Sequence, residues 1–174
     1  MKIQESLVRK IVIRDIPYLG SISVFLEDFE KGEGNITITC DGDSWSHYWG
    51  SMGSDLISFI DRASVGYIAG KLDSIDKTIT DTDKLVDNAK ASLLRMRRNT
   101  EIKKDDVRDL WDNLECVFDG EELLSDSDLM YKIYGDEWWC GLPRKPNPHY
   151  DHLYKIVSSV KEGLLLYKKE KELV

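Results

Sequence analysis

Long apolar runs are missing from this sequence: no window approaches the roughly 18 consecutive apolar residues that a membrane span requires. Cysteine is scarce. The three present, Cys40, Cys116 and Cys140, are an odd number at wide spacings, which argues against a disulfide framework and predicts free thiols in a reducing compartment. Met1–Ser6 lacks the basic-then-apolar layout of a signal peptide, so the expected location is the cytoplasm. Positive charge is in deficit: 24 Lys and Arg against 32 Asp and Glu give a net charge of −8, too little basic surface for wholesale binding to nucleic acid. The signatures of familiar chemistry are also missing. There is no G-x-S-x-G elbow, no phosphate loop with its lysine and no G-x-G-x-x-G fingerprint. Internal repeats and low-complexity tracts are absent too.

What remains is an ordinary globular composition, 41% apolar and 32% charged over 174 residues, long enough to bury a core without staples and expected to form a single domain over 1–174. Four strands are predicted within 8–49. Val8–Arg14, Ile22–Leu26 and Asn35–Cys40 are β-branched or alternating and separated by Pro17, Gly20, Gly32 and Gly34. After the Asp41-Gly42-Asp43 turn, Trp45, His47 and Trp49 share one side of an extended chain and Ser44, Ser46 and Tyr48 the other. The tryptophans should face a helical layer and Tyr48 should be more exposed.

Helices are predicted within 54–72, 82–98, 103–118, 126–134 and 151–169. Ser54 and Asp55 can cap the first. The second carries the stripe Leu85, Ala89, Leu93 and Met96, with Asp81 and Asp83 at its start and Arg95, Arg97 and Arg98 at its end, as the helix dipole favours. Asp119-Gly120 should end the third, Ser125 or Ser127 cap the fourth, and Asp151 cap the last. The breaker-rich stretch from Asp136 to Tyr150 reads as a loop and Asp73–Thr80 as a polar link. Strands first and helices after make the fold α+β: an N-terminal antiparallel meander of about four strands packed against C-terminal helices.

Several constellations invite a chemical reading. Cys140 with His149-x-x-His152 and Asp151 offers metal-ligand types, but zinc sites commonly need two paired knuckles, so neither a metal nor a cofactor is expected. Asp43, Ser46 and His47 hold the residue types of a triad, yet strand neighbours point to opposite faces, and no catalytic residue is assigned. The junction Trp45–Gly53 could form a small-ligand pocket from His47, Tyr48, Gly50 and Gly53. The same glycines serve equally to turn the chain sharply and seat a helix on the sheet. The acidic run Asp119, Glu121, Glu122, Asp126, Asp128, Asp136 and Glu137 is either a solvated face or a surface for a basic partner, and the neighbouring Trp138 and Trp139 could join the contact. The basic run Arg95, Arg97, Arg98, Lys103 and Lys104 is a small patch of the opposite sign.

Ile36–Cys40, then Trp45-Ser46-His47-Tyr48-Trp49-Gly50-Ser51-Met52-Gly53, then Phe59-Ile60 and Tyr67–Leu72, resemble a group of uncharacterised accessory proteins of bacteriophages and prophages of enteric bacteria, with W-x-x-Y-W-G-x-M-G as the distinctive part. Tyr150–Val157 is similar to their C-terminal helix. The resemblance implies no reaction. It implies an accessory role, and with the acidic surface leads to the expectation of a non-enzymatic binder or modulator of a host or phage protein, with action against host defence as one form. The alternative is a ligand-binding or enzymatic domain with its pocket at the Trp45–Gly53 junction. No membrane association is expected, and oligomeric state is left open.

Overall fold

The computed structural model describes residues 3, 5, 7–30 and 32–173. Of the stretch read for a signal layout, Met1, Lys2, Gln4 and Ser6 lie outside the described residues. Backbone packing divides the chain into two compact units, Met1–Lys77 with Asn147–Val174, and Thr78–Pro146.

The first unit contains the expected meander. Strands β1 (Arg9–Ile13), β2 (Ile22–Asp28), β3 (Gly34–Cys40) and β4 (Asp43–Trp49) form an antiparallel sheet in the order β1-β2-β3-β4. Strand alternation sets the register: Ile22 lies opposite Cys40, Val24 opposite Ile38 and Leu26 opposite Ile36, and all six are buried. A slip of one residue would turn this whole set to the other face. The β3–β4 connection is the two-residue Asp41-Gly42 loop, with φ of 49° and 96°, the sign pattern of a tight hairpin turn whose twist matches that of its strands. Glycine meets that requirement without strain and aspartate tolerates it.

Helices α1 (Leu56–Arg62), α2 (Val65–Leu72) and α7 (Pro148–Glu172) complete this core, burying Leu56, Ile60, Ile68, Ile156, Val157 and Val160 with the strands. The helical stretch read over 54–72 breaks at Ala63–Ser64, and the Ser64 hydroxyl accepts from Tyr67 N–H at 3.2 Å to start α2. The Lys161 ammonium on α7 donates to the carbonyls of Asp61 and Ala63, satisfying groups that the end of α1 leaves without helical partners. Helix α7 begins earlier than expected. Asn147, not Asp151, is its cap, accepting from His149 N–H at 3.1 Å, and Pro148 occupies the first helical position, where its missing N–H costs nothing and its fixed φ suits the helix.

The second unit has its own core. Helices α3 (Thr82–Arg98), α4 (Lys104–Cys116), α5 (Gly120–Ser125) and α6 (Ser127–Tyr134) bury Leu85, Leu93, Leu110, Leu114, Leu123, Met130 and Ile133 together. Asp119-Gly120 does not end α4, which stops at Cys116 with Val117 as its cap, but starts α5. The Asp119 carboxylate accepts from the N–H groups of Glu121 and Glu122 at 3.0 and 2.9 Å, and Gly120 lies so close to the Thr82 carbonyl that a Cβ would collide with it. Asp126, not a serine, caps α6 through Leu129 N–H at 3.0 Å. The expected loop and link are also partly ordered, because β5 (Thr78–Thr80) pairs antiparallel with β6 (Arg144–Pro146). Single-sequence periodicity could not find these three-residue strands, which exist only through their pairing. The Arg144 guanidinium donates to Thr78 O at 2.7 Å and Oγ1 at 3.2 Å. Lys145 pairs with Asp83 at 2.6 Å, its ammonium lying 3.8 Å from the buried Asp81. The Asp83 carboxyl is held below its ordinary pKa by the hydrogen bond from Lys145, and Lys145 is raised by the same bond. Among the described residues, no helix is long and apolar enough to cross a membrane.

Candidate functional site

The structure places the residues singled out in the sequence at three separate places. The first is the β4–α1 junction. Trp49 is buried and its indole lies against Phe59, with ring centroids 5.3 Å apart, while Trp45 packs at the edge of the same core. The His47 ring sits edge-on to Trp49, centroids 4.6 Å apart. Burial and then the nearby Lys71 ammonium hold its pKa below the ordinary imidazole value, although a hydrogen bond with the Lys71 backbone works the other way. Tyr48 faces outward, 52% exposed, and its hydroxyl donates to Glu33 Oε2 at 3.2 Å. Partial burial and this carboxylate raise its pKa. Beyond Gly50, Met52 N–H donates to Gly32 O at 2.7 Å and the Met52 side chain enters the core. Asp28 and Asp55 supply carboxylates to the N–H groups of Leu56 and Ser58, both at 3.0 Å. These N–H groups thus already have protein acceptors, and a negative charge is already present where an anion would sit.

The second place is the acidic run. Asp119, Glu121, Glu122, Asp126 and Asp128 line three clefts of about 530, 560 and 390 Å³ on the second unit, the first of them walled also by Thr82, Asp83 and Val86 of α3. Two of them share Glu122, Asp126 and Asp128, and Val117 links the third to the series. Phe118, on the rim, is 92% exposed. The carboxylates do not all have the same work: Asp119 and Asp126 cap helices, and Glu122 accepts from Phe118 N–H at 2.7 Å. Glu121 and Asp128 accept no such bonds among the described residues and point their charge at solvent. Asp136 is exposed as well but lines none of these clefts.

The third place was not anticipated. A cleft of about 590 Å³ is lined by Asn88, Ala91, Ser92 and Arg95 of α3 and by Tyr134, Glu137, Trp138 and Gly141. Trp138 is half-buried on the core, and Trp139, 59% exposed, meets it edge to face with centroids 5.7 Å apart. A signal for this cleft existed: Asn88, Ser92 and Arg95 recur at four- and three-residue intervals, a polar stripe beside the apolar one. Its opposite wall comes from the breaker-rich segment, whose fold periodicity does not encode. The proposed metal-ligand types are divided between the units, Cys140 in one and His149, Asp151 and His152 in the other, and among the described residues no group of three or more His, Cys, Asp or Glu side chains could hold a metal ion. All three thiols are free, Cys40 buried and Cys116 and Cys140 exposed.

A four-stranded antiparallel meander covered by helices, together with a helical unit that carries an acidic face, defines an α+β protein. A phage protein family matches residues 1–165, and the chain belongs to that family. No curated protein and no solved structure matches it.

Proposed function

We propose that this phage protein acts by binding a host or phage protein that presents a basic surface, through the acidic face of its second unit. The observation that carries this reading is the series of adjoining clefts lined by Asp119, Glu121, Glu122, Asp126 and Asp128 beside the exposed ring of Phe118. Carboxylates around an exposed aromatic combine long-range steering with a desolvated anchor, the arrangement in which a few residues dominate binding energy. Glu121 and Asp128, whose exposed carboxylates accept no hydrogen bond among the described residues, supply the charge, and Phe118 supplies the anchor. Asp136 and the exposed Trp139 extend the same acidic and aromatic character along the unit.

The test is retention of a partner from host or infected-cell lysate, identification by mass, and titration of the purified partner at low and high salt. Glu121→Ser, Asp128→Ser and Phe118→Ala together should weaken binding at least ~10-fold, and affinity should fall as salt rises. A partner held equally well by the triple variant, or with no dependence on salt, refutes this assignment. Asp119, Glu122 and Asp126 are left intact because their removal would perturb α5 and α6 rather than the contact alone.

A further inference from the structure

The cleft between α3 and the 134–141 segment brings together a set of groups that the acidic face does not use. Arg95 is exposed, makes no salt bridge among the described residues, and its one side-chain hydrogen bond there is a long one, 3.5 Å to Ser92 Oγ. Ser92 is itself buried, and this contact is its hydroxyl's hydrogen bond. Tyr134 forms part of the wall, and its hydroxyl is buried without any hydrogen-bond partner. Asn88 adds an exposed amide, Glu137 an exposed carboxylate held in a left-handed backbone conformation at φ 58°, and Trp138 a half-buried indole.

These groups specify a ligand by their differences. A guanidinium with a neighbouring hydroxyl suits one phosphate or carboxylate, since charged hydrogen bonds from arginine are the strong ones. The indole offers an apolar wall to a planar ring. Glu137, acceptor-only when ionised, repels a bare anion but accepts from paired hydroxyls, as carboxylates do for ribose. The volume of about 590 Å³ lies well above what an inorganic ion fills and within the range of small-molecule sites. A single guanidinium and a net charge of −8 disfavour a long polyanion. We propose that this cleft binds a mononucleotide, with its phosphate on Arg95 and Ser92, its base against Trp138 and its ribose hydroxyls on Glu137. The site is independent of the acidic face and stands whether or not a protein partner binds there.

Calorimetric titration of the full chain with AMP, GMP, CMP and UMP tests it, with the matching nucleoside and inorganic phosphate as separate arms. Expected is saturable binding of at least one nucleotide, with the nucleoside and phosphate each at least ~10-fold weaker, and a loss of at least ~10-fold in Arg95→Gln with an unchanged melting temperature. Glu137→Gln, at an exposed position, should weaken the ribonucleotide while leaving its 2′,3′-dideoxy analogue unaffected. Absence of binding by all four nucleotides at millimolar concentration overturns the proposal. So does equal binding by Arg95→Gln, phosphate binding as tightly as the nucleotide, or a Glu137→Gln variant that treats both sugars alike.

Discussion

In the first unit, Ile22 meets Cys40 across a sheet and Asn147 reaches Asp76 O across 71 residues of sequence, so the core closes only when α7 returns to it. In the second unit, α3 to α6 follow one another and bury a contiguous stretch of chain, with β5 and β6 paired at its two ends. The polar groups differ as well. In the first unit Asp28, Asp55 and Lys161 all serve helix ends. In the second, capping engages Asp119 and Asp126 but leaves Glu121, Asp128 and Arg95 without such duties. The difference teaches where to look for binding. Side chains that satisfy backbone groups hold the fold, and those left over beside clefts are available to partners.

The largest test of this contrast is in the cores. Ile38→Ala and Leu93→Ala each remove a fully buried side chain, one per unit, and should each cost about 2–5 kcal/mol in chemical denaturation. A chain that is one domain, as its length predicts, loses stability in a single shared transition in both variants, by calorimetry as well as by fluorescence. Two resolved transitions, each moved by only one substitution, would make the units separate domains.

Caps give the next largest effect. Asp126→Ala should cost α6 about 0.5–2 kcal/mol, and Asn147→Ala the upper part of that range or more, because Asn147 also donates to Asp76 O at 2.8 Å from a buried position. Equal losses measured by urea midpoint would count against the extra role of Asn147. Among the described residues each unit also holds one buried side-chain polar atom without a hydrogen-bond partner, Trp49 Nε1 in the first and Tyr134 Oη in the second. Tyr134→Phe removes the latter with little change of shape and should stabilise the ligand-free protein by about 1 kcal/mol. A lower melting temperature would mean that the hydroxyl has a partner after all.

The smallest effect belongs to His47. Its folded pKa lies below the ordinary 6.5, so as pH falls through 6.5 the unfolded chain takes up the proton first and stability declines until the folded pKa is passed. Above 6.5 the contribution is complete. His47→Gln should flatten this part of the stability profile, and an unchanged slope would assign it to other groups.

The meander was legible because strands declare themselves locally: Ile22, Val24 and Leu26 alternate, as do Ile36, Ile38 and Cys40, and Asp41-Gly42 fits only a tight turn. The orientation of Trp49 and Tyr48 followed from the same period. The start of α7 was less legible, since Pro148 breaks a helix from inside yet favours its first position, and only the partners of Asn147 decide between these roles. Helix α5 was missed because six residues after a glycine carry too little periodicity to be told from a loop.

By itself, then, the sequence determined the α+β class, the phage resemblance, the acidic balance and the residues of the acidic run, because composition and short-range period are local properties of a chain. Tertiary structure alone decided that α1, α2 and α7 share one core while α3 to α6 build another. It also decided which carboxylates cap helices and which line clefts, and that Arg95 and Trp138 border one cavity. The physical reason is that burial and hydrogen bonding are settled between residues far apart in sequence. The Trp45–Gly53 stretch shows both sides of this: its alternation could be read directly, while the acceptor of its Met52 amide, Gly32 O, comes from another part of the chain.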